Sequence, residues 1–240
     1  MMALFRPVFP NDEGRSELTA VHLIGEAAHY LSMPTATLRA WCVGQKQGEK
    51  KEFVRLIDLD GSPKEGLSFL NLVEAHVLAS IRRVHNVSLL KVREALDYVK
   101  RDFKIDRPLL SPRFQTDGVD IFVEELKALL NVTTHVYSFE EIMRAYLKRI
   151  HRDVQGVPVK LYPFLRNEDT GKSDAPMPIE IDPRVAFGRP VLIGRAVPTG
   201  VLADRFKAGD SIEDLAGDFE VTPAAIQEAI RCELDRREAA

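Results

Sequence analysis

Four acidic residues in the middle of the chain are the side chains whose types best suit a divalent metal ion. Asp117 and Asp120 lie at an Asp-Gly turn, and Glu124 and Glu125 follow closely. A carboxylate cluster of this kind would suggest a metal-dependent nuclease. However, the flanking residues alternate as in a β-hairpin, which would send these acids to opposite faces of a sheet. No histidine or lysine is spaced to work with them, so the sequence argues against a nuclease centre.

Histidines and cysteines form no catalytic or metal-binding pattern either. Cys42 and Cys232 are far apart, which is typical of buried thiols in a reduced, cytoplasmic protein. We therefore expect a chain that is not an enzyme and that holds no metal and no cofactor. The six histidines are scattered along the sequence: His22, His29, His76, His85, His135 and His151.

Binding chemistry is indicated near the start of the chain, in residues 24–41. Apolar residues recur there at helical spacing from Ile24 to Leu31, and Pro34 interrupts the pattern before it resumes through Leu38 and Trp41. The spacing predicts two short helices joined by a tight turn. An ordinary helical hairpin without a ligand is the alternative interpretation.

The second of these helices has small hydroxyls and one guanidinium on the face left outside the apolar stripe. Those residues are Thr35, Thr37 and Arg39. Such side chains suit a helix that enters the major groove of DNA, so we predict a DNA-binding helix-turn-helix.

A wing is expected directly after the helix-turn-helix. Residues 53–57 predict one strand, a second strand is expected at about residues 67–69, and residues 45–51 are predicted to form a polar turn. Lys50, Lys51 and Arg55 would then lie where a wing meets the phosphate backbone.

Two clear helices follow, one with an apolar stripe from Leu70 to Val84 and one with a stripe from Leu89 to Phe103. This order resembles the DNA-binding domain of the MerR family of regulators. The resemblance is carried by residues 24–27 (Ile-Gly-Glu-Ala), by residues 37–39 (Thr-Leu-Arg), by the wing and by residues 88–93. It covers residues 20–103 and implies a winged helix-turn-helix fold.

The rest of the chain predicts a small β-meander with one helix and then a C-terminal module. Asp117-Gly118 between short apolar runs is a hairpin signal, and Val157 to Phe164 indicates another strand. Residues 166–178 are polar and contain two prolines, which is typical of a linker. Beyond residue 179, short strands precede three helices with capping signals. We expect an α+β, mostly helical chain with a flexible arm (1–19), a winged helix-turn-helix (20–106), a middle segment (107–165), a linker (166–178) and a C-terminal module (179–240).

The C-terminal module resembles a small domain of bacterial antitoxins whose toxins are PIN-domain ribonucleases. The resemblance is carried by residues 188–199, 208–215 and 221–230, and residues 114–123 and 161–164 accompany that domain in longer members. The whole chain is thus similar to a large VapB-type antitoxin. This implies pairing with a VapC-type toxin and repression of a shared operon. A MerR-like transcription regulator without a toxin partner is the alternative.

Three arginines of the module could bind such a toxin. Arg184, Arg189 and Arg195 are candidates because a guanidinium grips the carboxylates of a nuclease site with two hydrogen bonds. Surface charges or donors that stabilise turns are an equally good interpretation of each one taken singly.

Charge is spread unevenly along the chain, whose net charge is −3. Counting charged residues gives +2 for residues 1–108 and −4 for residues 179–240. The last two helices form a second helix-turn-helix outline, with acids at positions 213, 214, 218, 220 and 228 that would repel phosphates. We therefore expect DNA at the front of the chain and a protein-binding or dimerising role at the back. A homodimer is expected, since one winged module makes too few phosphate contacts. No apolar run suits a membrane span.

Overall fold

The computed structural model describes residues 22–47, 51–53, 55–61, 66–82, 89–130, 136–163 and 177–234. Within these ranges the chain forms nine α-helices and three small antiparallel sheets. The mixed, mostly helical fold class that the sequence predicted is confirmed. The predicted arm, and the predicted linker up to residue 176, lie outside the described residues, and the domain boundaries stay a prediction.

The front of the molecule is a helix pair followed by a β-hairpin. Helix α1 spans Ile24–Tyr30, helix α2 spans Thr35–Val43, and strands β1 (Gln45–Gln47) and β2 (Lys51–Phe53) pair in antiparallel register. The predicted wing strands were therefore misplaced, because the polar stretch predicted as a turn, residues 45–51, supplies the whole of β1 and the first residue of β2. Among the described residues of the predicted first strand, only Phe53 belongs to the hairpin, and Leu67 instead forms an isolated bridge with His22.

Two longer helices support the front. Helix α3 spans Phe69–Arg82 and helix α4 spans Leu89–Phe103, as the apolar stripes predicted. Every residue from Phe69 to Ser80 is buried, so α3 is covered on all sides and forms the centre of the core. A 3-10 turn, Pro108–Leu110, packs beside both helices.

The middle segment is helical where the sequence predicted a β-meander. A π-helical turn, Phe114–Gly118, leads into α5 (Val119–Leu130), and α6 spans Val136–Leu147. The Asp117-Gly118 hairpin prediction was wrong. A short apolar run fits a strand and a buried helix equally well, and in this run Val119, Phe122 and Leu126 share one buried helical face.

A two-stranded hairpin then connects the middle segment to the last module. Strands β3 (Ile150–Arg152) and β4 (Pro158–Leu161) pair in antiparallel register, so the strand predicted near Val157 is confirmed. Gly156 turns the chain with φ +82°, and a Cβ atom there would lie 2.4 Å from Cγ of Pro112. The turn is therefore packed tightly against the end of the 3-10 segment.

The last module joins a three-stranded sheet to three helices, as predicted. Its sheet has the order β5 (Ile179–Glu180), β6 (Val191–Leu192) and β7 (Val197–Pro198). Helices α7 (Thr199–Lys207), α8 (Ile212–Asp218) and α9 (Pro223–Leu234) follow, and α9 packs on α7. No helix in the described ranges combines the length and the apolar character that crossing a bilayer requires.

Candidate functional site

The front helix pair is built on the apolar stripe seen in the sequence. Ala27 and Ala28 of α1 are buried, as are Leu38 and Trp41 of α2. Between the helices, Ser32 takes a left-handed φ of 50°, and Pro34 occupies the N-cap of α2 in extended conformation. The predicted helix-turn-helix geometry is therefore present. Its resemblance to the MerR family is not tested by this geometry and stays a prediction.

The three predicted groove-facing residues lie on the outer side of α2. Arg39 is exposed, whereas Thr35 and Thr37 are half-buried. None of them is fully buried, and a DNA-binding role requires that they remain accessible. Helix α2 has no acidic residue in its sequence, Thr-Ala-Thr-Leu-Arg-Ala-Trp-Cys-Val, so nothing within it repels phosphate.

The hairpin is anchored to the C-terminal end of α2. The carbonyl of Trp41 accepts backbone hydrogen bonds from the N–H groups of Leu56 (2.8 Å) and Ile57 (3.1 Å). Lys51 pairs with Gln47 in the hairpin, and Lys50 lies outside the described residues. Arg55 follows the hairpin rather than lying within it. It is exposed, and its Nε donates to Asp58 at 3.0 Å.

A buried charge network holds the chain after the hairpin against α3. Arg107 donates from Nη2 and Nε to the two carboxylate oxygens of Glu74, at 2.5 and 3.0 Å, and from Nη1 to Asp60 at 2.7 Å. Asn71 donates to Glu74 at 3.2 Å and to the carbonyl of Asp58 at 3.0 Å. Because Asp58 and Asp60 lie just beyond the hairpin, this network fixes the segment that returns from it.

Electrostatics in this network are governed by burial. Burial raises the pKa of Glu74, and the hydrogen bonds and charge of Arg107 oppose that rise. Burial alone would lower the pKa of Arg107, but Glu74 and Asp60 raise it above its ordinary value. Sequence patterns did not reveal this pair, since 33 positions separate its members and no local pattern connects them.

His22 packs between Tyr30 of α1 and the chain at Leu67. Its ring is buried and meets Tyr30 edge-on, with centroids 5.8 Å apart, and its backbone exchanges two hydrogen bonds with Leu67. Burial lowers the pKa of His22 from 6.5 to about 4. The imidazole is therefore neutral in the folded protein near pH 7.

The predicted toxin-binding arginines lie in the turns around β6. Arg184 is held by Asp182, to which it donates at 2.9 and 2.8 Å. Arg195 donates to the backbone carbonyl of Glu220 at 3.0 Å and forms an ion pair with the carboxylate of the same residue at 3.1 Å. Arg189 is exposed and forms no ion pair with any residue that the structure describes. The structure thus brings the three arginines into one module but gives them different surroundings.

The C-terminal module contacts the front helix pair directly. Glu233 on α9 lies 3.7 Å from Nε2 of His29 on α1, and Glu233 also accepts a hydrogen bond from the hydroxyl of Thr199 on α7. The charges of Glu233 and Arg189 also act on Tyr30, whose pKa burial raises above its ordinary value. Helix α1 therefore has the module beside its C-terminal end.

The prediction that Glu228 belongs to the acidic outer face of α8 and α9 was wrong. Glu228 is buried, not exposed, and receives two hydrogen bonds from Arg231 at 2.8 and 3.1 Å. The reason is non-local. The buried Arg149 of the middle segment acts on Glu228 electrostatically while it donates to the carbonyls of Tyr162 and Pro163. Four exposed acids of that face remain: Glu213, Asp214, Asp218 and Glu220.

The acids considered for a nuclease centre also lie differently from the prediction. They are on a helical segment, where the spacing of Asp117, Asp120 and Glu124 gives one face instead of two. Arg144 donates to Asp120 at 2.6 Å and so occupies part of this face. In the ranges that the structure describes, no three His, Cys, Asp or Glu side chains come close enough to hold a metal ion.

Comparisons with known proteins find one matching family model and similarity to two proteins of Mycobacterium tuberculosis. The family described as "Protein of unknown function (DUF433)" matches residues 179–231, which is the C-terminal module. The Mycobacterium tuberculosis protein named "Putative antitoxin VapB45" is 24% identical over 88% of this chain and 92% of its own length. The uncharacterized protein Rv2308 of the same organism is 23% identical, with 88% of each chain covered.

A solved structure has the same fold. The crystal structure of Rv2018 from Mycobacterium tuberculosis superposes with a TM-score of 0.65 at 23% sequence identity, covering 87% of this chain and 96% of that one. The similarity therefore extends over most of the fold of both chains.

Proposed function

We propose that this chain is an antitoxin that neutralises a PIN-domain ribonuclease toxin and represses its own operon as a dimer bound to operator DNA. The observation that carries the proposal is similarity to the VapB45 protein along nearly the whole of both chains. Similarity confined to a helix-turn-helix would favour a general regulator, whereas this match includes the C-terminal module. The proposal gives the chain no catalytic step of its own and has it act in the cytoplasm, where operator DNA is found.

The DNA-binding half of the proposal is supported by the chemistry of α2 and its hairpin. Arg39 is exposed on a helix without acids, and Lys51 lies in the adjoining hairpin. A guanidinium can read guanine with two hydrogen bonds, and threonine hydroxyls can bond to bases or phosphates. Thr35 and Thr37 are partly exposed beside it, so one helix offers both kinds of contact.

The toxin-binding half is supported by the exposed guanidinium groups of the last module. A PIN-domain ribonuclease binds its metal through carboxylates, which attract arginine. Arg189 is the candidate that has no acidic partner among the described residues, so binding an acidic site would cost it no existing ion pair. Arg184 and Arg195 would each have to share or leave a carboxylate.

The DNA half is tested with the DNA upstream of the chain's own reading frame. A gel shift should show binding by the wild-type protein, and Arg39→Ala should weaken it by about 5- to 150-fold, the range for a lost bidentate base contact. Thr35→Ala should weaken it less. Each lost phosphate contact should also reduce the slope of log affinity against log salt by about 0.9.

The matched control is Lys207→Ala. Lys207 is an exposed cation at the end of α7, so this variant removes the same unit of charge far along the chain from α2. It should leave operator binding unchanged. An equal loss in both variants would mean that only net charge matters, and would contradict a reading role for Arg39.

The toxin half is tested with the product of the adjacent reading frame. If that protein is a ribonuclease, purified wild-type antitoxin should stop its cleavage of RNA at about one-to-one stoichiometry or a small whole-number ratio. Operator binding without any inhibition would instead indicate a MerR-like regulator that has no toxin partner.

A further inference from the structure

Two short turns at the ends of β6 share one sequence pattern, an apolar residue followed by glycine and arginine. The first is Phe187-Gly188-Arg189 and the second is Ile193-Gly194-Arg195. Both glycines have positive φ, 74° and 78°. In each turn the apolar side chain faces solvent, with 91% of Phe187 and 43% of Ile193 exposed.

The first turn is held in a backbone conformation that suits its exposed phenyl group poorly. Ala186 has φ 48° and Phe187 has φ 56°, so two successive residues with a Cβ atom lie in the left-handed region. That region is disfavoured for such residues, and Phe187 gains no packing in return. Residues kept in this way cluster at ligand-binding sites, where the surrounding structure over-determines them.

Hydrogen bonds fix the turn from both sides. The N–H of Val185 donates to the carbonyl of Asp182 (2.9 Å), and the N–H of Gly188 donates to that of Val185 (2.9 Å). Asp182 also receives the backbone N–H and the guanidinium of Arg184. The turn is therefore rigid before any partner arrives, which reduces the entropy lost on binding.

Charge beside the phenyl group indicates what kind of surface it meets. Arg184 is already paired with Asp182, whereas Arg189 is exposed and has no ion pair with a described residue. The exposed surface of this turn is thus an apolar ring next to one available guanidinium. Its complement is an apolar pocket with a carboxylate at the rim.

We infer that Phe187 is the anchor by which this chain binds its toxin, inserting into an apolar pocket next to the acidic site that Arg189 approaches, with Ile193 and Arg195 extending the contact. This inference rests on the proposed function and deepens it. The two turns are six residues apart, so they are within about 20 Å of each other and one protein surface can meet both.

The test compares three replacements of Phe187. Phe187→Gly removes the ring and relieves the left-handed backbone, Phe187→Asn removes the ring while keeping a residue that tolerates this conformation, and Phe187→Tyr keeps the ring. The probe is the purified ribonuclease from the adjacent reading frame, with affinity measured by calorimetry and stability by urea unfolding.

Phe187→Gly and Phe187→Asn should weaken toxin binding by about 30-fold or more, the loss typical of a binding hot spot. Phe187→Gly should at the same time leave the midpoint of urea unfolding unchanged or raise it. Phe187→Tyr keeps the ring but adds a hydroxyl to it, and it should lose less affinity than either of the other two variants. Phe206→Ala is the matched control, since Phe206 is a less exposed phenylalanine on α7 of the same module, and it should keep full affinity for the toxin.

Several outcomes would overturn the inference. Affinity within twofold for Phe187→Gly, or a fall in stability that accounts for the lost affinity, would make the turn purely structural. Loss of operator binding or of self-association, without loss of toxin binding, would assign Phe187 to DNA or to a second copy of this chain. If the wild-type protein itself does not bind the ribonuclease, the proposed function fails and this inference fails with it.

Discussion

The chain contains two helix-turn-helix outlines that share their design and differ in their charge. In the front pair, α1 and α2, Pro34 precedes the second helix, and in the rear pair, α8 and α9, Pro223 begins it. Both second helices bury a cysteine in their last turn, Cys42 in front and Cys232 behind. The front pair exposes one acid, Glu26 on α1, and Arg39 on α2. The rear pair exposes four acids, three of them on α8 and the fourth, Glu220, between its two helices.

A helix-turn-helix outline alone therefore does not determine which ligand the pair binds. The apolar positions determine how two short helices pack, and the residues outside that stripe determine what the pair can meet. A phosphate backbone would meet one exposed acid, Glu26, and one exposed guanidinium, Arg39, on the front pair, but four exposed acids on the rear pair. Assigning DNA to the front and protein to the rear, as proposed, therefore rests on side chains that contribute nothing to folding the motif.

The two pairs also differ in how they are braced. The front depends on the buried contact of Arg107 with Glu74, while the rear is held by Arg205, which donates to Asp210 and Asp218 near the surface. A buried ion pair is costly to break, because the remaining charge has no water around it. An exposed pair is worth little.

The largest effect that tests this difference is expected from Arg107→Met. It should lower the free energy of unfolding by about 3–5 kcal/mol at pH 7, because Glu74 is left buried without its partner. The loss should shrink at lower pH, since burial raises the pKa of Glu74 and allows it to be protonated. Urea unfolding at pH 7 and pH 5 measures both effects.

Two variants serve as controls for Arg107→Met. The double variant Glu74→Gln with Arg107→Met should recover part of the loss, because it removes the stranded charge. Arg205→Met in the rear pair should change stability much less. If Arg205→Met lowered the free energy of unfolding by a similar amount, the buried and the exposed ion pairs would contribute equally to stability, which contradicts this expectation.

A pH effect of intermediate size is expected at the front from His22. Its folded-state pKa is about 4 and its ordinary value is 6.5, so the unfolded chain binds the proton more readily between these values. Stability should therefore fall as the pH drops from 6.5 to 4, by about 3 kcal/mol at most. His22→Phe, which can keep the ring contact with Tyr30, should flatten this part of the profile. Parallel profiles for the two proteins would contradict the assignment.

The smallest effect concerns the helix start of the rear pair. Ser211 caps α8, accepting the N–H of Asp214 at 3.1 Å, whereas α2 begins at Pro34 without a side-chain cap. Ser211→Ala should therefore cost about 1 kcal/mol, measured by thermal unfolding. Thr35→Ala at the start of α2 should cost less. The reverse order would mean that packing, and not the cap, sets the stability of α8.

Sequence patterns predicted the parts of the fold that are decided locally. The stripe from Ile24 to Trp41 and the capping signal at Ser211 each act within a few residues, and each predicted element is present. Asp117-Gly118 misled the prediction because a short apolar run satisfies two periodicities. In the helical segment that forms instead, Phe122 packs against Phe114, with ring centroids 6.1 Å apart.

The candidate site was predictable only in its surface residues. Thr35, Thr37 and Arg39 could be placed because their helix could be placed. The contacts that support them could not, since Glu74 and Arg107 meet only after the chain has folded. Glu228 was assigned to the surface for the same reason, because its surroundings include Arg149 from a distant segment.

One backbone oxygen has a consequence for any mutational study of the front. The carbonyl of Trp41 accepts hydrogen bonds from the N–H groups of Leu56 and Ile57, which follow the hairpin. Main-chain atoms therefore connect this part of the chain to α2. This backbone contact does not involve the side chains at positions 35, 37 and 39. Replacing those side chains should therefore change the chemistry offered to a ligand while this backbone contact remains.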